Sequence, residues 1–155
     1  MLRKKATNLE IPVNNDNIKL DNHLCFYIYV TSRAIQRMYM PRLKQLGLTY
    51  PQYLVLVALY DKQKLTVNEL GRLLDLEYGT LSPMLKRMTD RGLISKVRST
   101  EDERIVELTL LSEGKLKRQQ ALQLPQMLAS NSGLTDEEWQ QMVNLTEKMF
   151  KNISE

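Results

Sequence analysis

The sequence predicts a mainly α-helical fold that carries one small β-wing, and three observations lead there. Apolar residues recur at helical spacing along most of the chain. Strand-like alternation is confined to residues 93–110. Caps, glycines and prolines interrupt the helical stretches at short intervals, which gives several packed helices instead of one long rod.

Residues 1–20 are polar, asparagine-rich and without period, and are expected to form an arm ahead of a single domain over 21–155. Asp21 or Asn22 can cap a first helix, in which Leu24, Ile28, Ile35 and Met38 recur at helical spacing. Pro41 is expected to end or kink it near Met40, and Gly47 marks a further stop. Thr49 can cap a second helix, with Pro51 just inside its start. Tyr53–Tyr60 is apolar on every side, so that helix should be buried on most faces. Asp61–Lys64 reads as a loop. Thr66, with Glu69 three residues on, signals a capping box for a third helix bearing Leu70, Leu73 and Leu74. A break at Asp75–Glu77 leads into a fourth, Gly79–Arg91, striped by Leu81, Met84, Leu85 and Met88 and closed by Gly92.

Leu93–Arg98 and Arg104–Leu110 then read as strands, since Val106, Leu108 and Leu110 alternate with Glu107 and Thr109. The polar connection Ser99–Glu103 makes them a hairpin with a projecting tip. Helix resumes at Glu113, and Pro125 should kink or divide it. Ser130–Gly133 reads as a loop. Thr135, with Glu138, is a second capping box, and the last helix carries Trp139, Met142, Met149, Phe150 and Ile153 on one stripe.

Composition excludes several classes. The 155 residues are 43% hydrophobic and 26% charged, ordinary values for a globular chain. A single cysteine, Cys25, cannot close an intrachain disulfide, so no stapled secreted fold is expected. The basic start, Met1–Lys5, is followed by no apolar segment, and the longest apolar run, Tyr53–Tyr60, is far short of the ~20 residues that cross a bilayer. A cytoplasmic location with no membrane partner is therefore expected. The net charge of +4 permits an anionic partner without demanding one.

Helix, tight turn, helix, hairpin is the winged helix-turn-helix order, here over about residues 48–111. In that arrangement the second helix enters the DNA major groove and the wing reaches the backbone or the minor groove. Between Met84 and Arg104 stand Lys86, Arg87, Arg91, Lys96, Arg98 and Arg104 against four acids. Gly79, Thr80 and Ser82 leave the start of the second helix small enough to approach bases and phosphates. Charges of this kind on their own are more often a solvated helix face; the order of elements is what favours DNA. The flanking helices, about 21–46 and 112–154, are expected to dimerise, with packing on their own domain as the plainer alternative. A two-fold dimer presents two recognition helices to half-sites of a pseudo-palindromic operator about 34 Å apart.

The stretches Leu65–Gly71, Gly79–Met88 (GTLSPMLKRM), Gly92–Ile94 and Asp102–Arg104 resemble the MarR family of dimeric winged-helix repressors. The likeness spans roughly residues 20–153. It implies that Arg104 enters the minor groove while Asp102 orients it, and that Gly79, Thr80, Ser82, Pro83, Lys86, Arg87 and Arg98 face DNA. Upstream, Asn22–Tyr29 (NHLCFYIY) and Leu48–Tyr53 (LTYPQY) resemble the organic-hydroperoxide-sensing, OhrR-type branch. That likeness implies a sensing thiol at Cys25, phenolic partners Tyr39 and Tyr50 from the other subunit, and Tyr29 moving in after oxidation.

The chemistry suits those residue types. A thiolate is the form that attacks a peroxide oxygen, and a free cysteine is only a few per cent ionised near neutrality. Two phenolic O–H donors would stabilise the anion, and the start of the first helix adds a weak positive end. If 25 and 39 lie in one helix they are ~21 Å apart along it at 1.5 Å per residue, so the thiol and that phenol can meet only across two chains. Oxidation gives a sulfenic acid, to be resolved by a small external thiol, a backbone nitrogen or overoxidation. His23 lies two residues from Cys25, on another helix face, so no Cys–His catalytic pair is expected, nor any metal site or cofactor. Tyr27 and Tyr60 are expected to be packing residues. The leading expectation is a non-enzymatic repressor that leaves its operator when an organic hydroperoxide oxidises Cys25. The rivals are a MarR-type repressor released by a small aromatic ligand, a one-cysteine thiol peroxidase, and a winged-helix protein-interaction module.

Overall fold

A computed structural model describes residues 20, 23–100, 102 and 104–154. Seven helices and three short strands are described: α1 (Leu24–Gln45), α2 (Tyr50–Lys62), β1 (Lys64–Thr66), α3 (Val67–Leu74), α4 (Tyr78–Asp90), β2 (Ile94–Arg98), β3 (Val106–Leu110), α5 (Ser112–Gln120), α6 (Gln123–Asn131) and α7 (Asp136–Ile153). The chain's contacts group into two units, residues 1–36 and 37–155. Apart from Leu20, the expected arm over 1–20 lies outside the described residues, as do Asp21 and Asn22.

In the first unit the helix begins at Leu24 behind His23, whose carbonyl accepts the Phe26 and Tyr27 amides at 3.1 and 3.3 Å. Leu24, Tyr27, Ile28 and Tyr29 are exposed. Tyr27 is therefore not the core residue the sequence suggested; its ring meets Phe26 edge-on at 5.3 Å.

The second unit holds the winged helix. Pro41 does not end α1, which continues to Gln45. The stop falls at Gly47, whose φ of +68° lets the turn reverse. There the Leu48 amide reaches the Leu43 carbonyl at 2.9 Å. Thr49 caps α2 as expected, and Gln52 completes a reciprocal box by accepting the Thr49 amide at 3.0 Å. Val55, Leu56 and Leu59 are fully buried, in line with the all-round apolar stretch. Tyr60 is not: it is exposed, with the Arg118 guanidinium stacked 3.8 Å over its ring.

Of the expected loop Asp61–Lys64, Asp61 and Lys62 belong to α2, and Lys64 opens a strand, Lys64–Thr66, that was not expected. Three residues show no period of their own; pairing with β3 makes them a strand, Leu65 opposite Leu108. The sheet has order β1-β3-β2, all antiparallel, with Ile94 opposite Leu110 and Arg98 opposite Val106. Thr66 and Glu69 form the predicted capping box of α3. Asp75, in the left-handed region at φ 51°, ends it. The stripe Leu81, Met84, Leu85 and Met88 is buried against the sheet and α3 side of the core, alongside Leu70, Leu93, Ile94 and Leu108. Replacing Met88 by Ala should cost roughly 2–5 kcal/mol, the range for a buried Met truncated in a packed core, measurable as a lower midpoint in urea.

Pro125 lies inside α6, in its first turn, where a missing N–H has no intrahelical partner to lose. The division it was expected to make falls upstream, at Ala121–Leu122. Ser130 and Asn131 are helical, so the loop starts at Ser132. Thr135 and Glu138 cap α7 reciprocally, but no residue of α7 is buried: Met142, Val143, Leu145, Phe150 and Ile153 stay exposed. Of the expected stripe Trp139 and Met149 are half-buried while Met142 and Phe150 are exposed, so α7 packs on its own domain only in part.

Candidate functional site

Three sets of residues stand out: those on α4 and the wing, the thiol in the first unit, and a group of phenols in the second. On α4 the buried stripe fixes which side faces away. Gly79, Thr80, Pro83, Lys86 and Arg87 are exposed and Ser82 is half-buried. The N-cap, Glu77, makes no side-chain cap hydrogen bond, so the Tyr78 and Gly79 amides carry no cap from it. A Cβ added at Gly79 would meet nothing within 4 Å. Gly79→Ala should therefore leave the fold intact or steady it by a few tenths of a kcal/mol, while weakening binding to DNA that approaches this backbone. Paired melting and gel-shift measurements separate the two effects.

The basic groups are unevenly free. Lys86 is held by Asp90 at 2.7 Å, one helical turn on. Arg91, counted with the basic stretch in the sequence, is turned away: its Nη1 donates to the Gly47 carbonyl at 2.7 Å. On the wing, Arg98 is exposed at the end of β2. Ser99, expected at the projecting tip, is instead buried, its amide donating to the Ile105 carbonyl at 2.8 Å. Asp102 turns the tip: its carboxylate accepts the Arg104 amide at 2.9 Å, and the Ile105 amide donates to its carbonyl at 2.9 Å. The Arg104 side chain is 95% exposed, with Nε 4.0 Å from the Asp102 carboxylate. Asp102 thus fixes the turn from which Arg104 projects. Glu101 and Glu103 lie outside the described residues.

In the first unit, the Cys25 thiol is exposed, and Nδ1 of His23 lies 3.8 Å from its sulfur. The expectation that the two face apart is corrected here. It assumed both residues in the helix, whereas α1 starts at Leu24 and His23 stands just outside it. Tyr29 is exposed, and Arg33, one turn on, donates to its hydroxyl at 3.4 Å. In the second unit Tyr39 and Tyr50 come together, ring centroids 6.0 Å apart. Tyr53 completes the cluster at 6.1 Å from Tyr39 and 6.2 Å from Tyr50. Burial, then the neighbouring phenols Tyr53 and Tyr50, push Tyr39 up to about 12. Burial raises Tyr50 and Tyr53 as well. Phenols so placed remain O–H donors at any physiological pH.

Sequence reasoning overlooked Tyr53, three residues after Tyr50 and so on the same helix face. Tyr78, the first residue of α4, stands just ahead of the small residues of the motif and carries no local sequence signal of its own. Among the described residues no three of His, Cys, Asp and Glu gather to hold a metal ion, and no helix is long and apolar enough to cross a membrane.

Residues 37–121 match the family model of the transcriptional regulators SarA/Rot. The chain is 43% identical over 127 residues to an organic hydroperoxide resistance transcriptional regulator of Bacillus subtilis (strain 168), covering 82% of this chain and 86% of that one. The chain belongs to the MarR-type winged-helix regulators, on the organic-hydroperoxide (OhrR-type) branch. Among solved structures, overoxidised AbfR bound to DNA matches with a TM-score of 0.70 at 35% identity, over 89% of this chain and 97% of that one. A cysteine-substituted MarR of E. coli complexed with operator DNA matches with a TM-score of 0.72 at 25% identity, over 87% and 96%. A MarR-type assignment accounts for the mainly α architecture with its small wing.

Proposed function

We propose that this protein is a homodimeric repressor that holds a pseudo-palindromic operator while reduced and releases it when an organic hydroperoxide oxidises Cys25. The observation that carries the reading is the exposed thiol: the inert alternative requires a sulfur sealed in the core, and this one is open at the first turn of α1. Its phenolic partners are Tyr39 and Tyr50 of a second copy. Positions 25 and 39 share one continuous helix, and two such helices running antiparallel bring each thiol to the other chain's phenols. The exposed apolar residues of α7 and of the start of α1 supply surface for that pairing. Sedimentation at micromolar concentration should give twice the 18.1 kDa chain mass.

The thiolate attacks the distal peroxide oxygen. The S–O bond forms, the O–O bond breaks, and the alkoxide leaves as an alcohol after taking a proton. A small external thiol then attacks the sulfenic sulfur, forming a mixed disulfide and releasing water. A relative is found on DNA in its overoxidised form, so overoxidation is the resolution least suited to release. The larger group displaces the phenols, the helices shift, and the two recognition helices lose their spacing. This is one oxidation per site and no turnover, so the protein is a sensor, not an enzyme. It works beside the chromosome, in the cytoplasm.

Operator binding with and without one equivalent of cumene hydroperoxide and a small thiol tests the reading: the reduced protein binds and the treated protein lets go. Release by an aromatic carboxylate or phenol, with peroxide inert, would favour the ligand-gated alternative. On the DNA side, Arg104→Ala should weaken operator binding at least tenfold and lower the slope of log K against log salt by about two units, roughly one for the cation lost from each wing of the dimer. Unchanged affinity would take the wing out of the interface.

A further inference from the structure

We propose that Tyr78 is a specificity-determining residue, its ring packing on the C5-methyl group of a thymine in each operator half-site. This rests on the reading that α4 enters the major groove. Tyr78 is the first helical residue of α4 and is 65% exposed, the most exposed tyrosine of the chain among the described residues. Among those residues its side chain has no hydrogen bond, ring contact or cation contact, so packing within the chain does not explain it. Side chains of a helix lean toward its N-terminus, and the Cβ of a first-turn residue therefore points past the helix end. In a recognition helix that end is the one that meets base edges.

The surroundings favour a base over a phosphate as its partner. Tyr78 lines a groove of about 340 Å³ between α3 and α4, with Asn68 and Arg72 of α3 on the other wall. In helix-turn-helix docking the first helix crosses the sugar-phosphate backbone, so Asn68 and Arg72 are the groups placed for phosphate. The ring stands on the groove-entering helix, next to Gly79, whose empty surroundings let base edges come close. The thymine methyl is the apolar feature of the major groove, and an aromatic face is its natural contact.

Duplexes selected from a random pool by the unsubstituted protein provide the probe, with binding then measured for that protein, Tyr78→Phe and Tyr78→Ala. At one T·A pair per half-site, deoxyuridine in place of thymine should weaken the unsubstituted protein and Tyr78→Phe about four-fold for each half-site so changed, the effect of one methyl group buried at ~0.8 kcal/mol. Tyr78→Ala should bind the two duplexes alike and select a pool with no preference at that pair. Retention of full thymine preference by Tyr78→Ala overturns the proposal. So does a Tyr78→Phe variant as weak as Tyr78→Ala, which would assign the hydroxyl, not the ring. Arg87→Ala serves as the check on the premise: if it leaves binding untouched, α4 is not on the DNA and the proposal falls with the premise. If Arg87→Ala weakens every duplex while Tyr78→Ala changes none, the proposal alone falls.

Discussion

Protein carrying Cys25→Ser should stay on its operator when cumene hydroperoxide is added, whereas the unsubstituted protein loses about 100-fold in affinity. The substitution exchanges sulfur for oxygen at an exposed position, so the fold and the reduced-state affinity should not change. What disappears is the nucleophile: a serine hydroxyl is not ionised at neutral pH and does not attack a peroxide oxygen. A 100-fold release corresponds to roughly 3 kcal/mol, within the usual span of coupling between two sites. Two outcomes are decisive. Equal release from Cys25→Ser would remove the sulfur from the mechanism. Repeated consumption of peroxide at the expense of a thiol reductant would make the protein an enzyme. Tyr39→Phe and Tyr50→Phe should bind DNA normally but oxidise more slowly, since under the proposed function each removes one donor to the partner's thiolate while keeping the ring cluster, in which the centroids are 6.0 Å apart.

The fold was legible wherever a signal was local. Thr49, Thr66 and Thr135 each announced a helix start, and all three make reciprocal caps. The stripe on α4 was visible because four apolar residues at helical spacing have one simple explanation, and all four are buried. Legibility failed where the deciding interaction was remote. Lys64–Thr66 is a strand only because β3 lies beside it. Pro41, expected to end or kink α1, does not end it, whereas the stop expected at Gly47 is there, in a left-handed conformation.

The site divides in the same way. Wing geometry followed from a short motif, since Asp102 and Arg104 are two residues apart and the carboxylate reaches the Arg104 amide directly. The phenol cluster was legible only in part. Tyr39 and Tyr50 come from different helices, and no sequence pattern says that Tyr53 joins them. His23 was misjudged for a narrower reason: whether a residue two positions away faces a thiol depends on whether both are inside the helix, and the boundary falls between them. Arg91 shows the limit of counting charges. Its guanidinium is occupied by a carbonyl 44 positions earlier in the chain, Gly47, so it adds less to a DNA-facing surface than its place in the basic stretch suggests.

Among the glycines, the added Cβ meets its tightest backbone contact at Gly114, and Gly114→Ala should destabilise the protein. In an ordinary helix that exchange is favourable by about 1 kcal/mol, because alanine restricts the unfolded chain and glycine does not. Here the helix is pressed against the strand end. An added Cβ at Gly114 would overlap the Leu93 carbonyl oxygen and stand 3.1 Å from a Leu110 methyl. The Leu110 side chain can yield by rotating, but the Leu93 oxygen cannot. It is backbone, and it already accepts the Leu111 amide at 3.1 Å just ahead of α5. Relief requires α5 to lift away from Leu93 and Ile94, both fully buried, and overpacking of that kind costs about 3 kcal/mol. The clash therefore outweighs the helix-propensity gain, and the sign reverses. At 2–4 °C per kcal/mol for a chain of this size, the net loss should lower the melting temperature by roughly 5 °C. Because α4 leads directly into Leu93, operator binding should weaken as well. The same substitution at Gly79, where the added methyl meets nothing, is the control: its melting temperature should not fall. A Gly114→Ala protein as stable as the unsubstituted one would mean that α5 does not pack this closely on the strand that carries the wing.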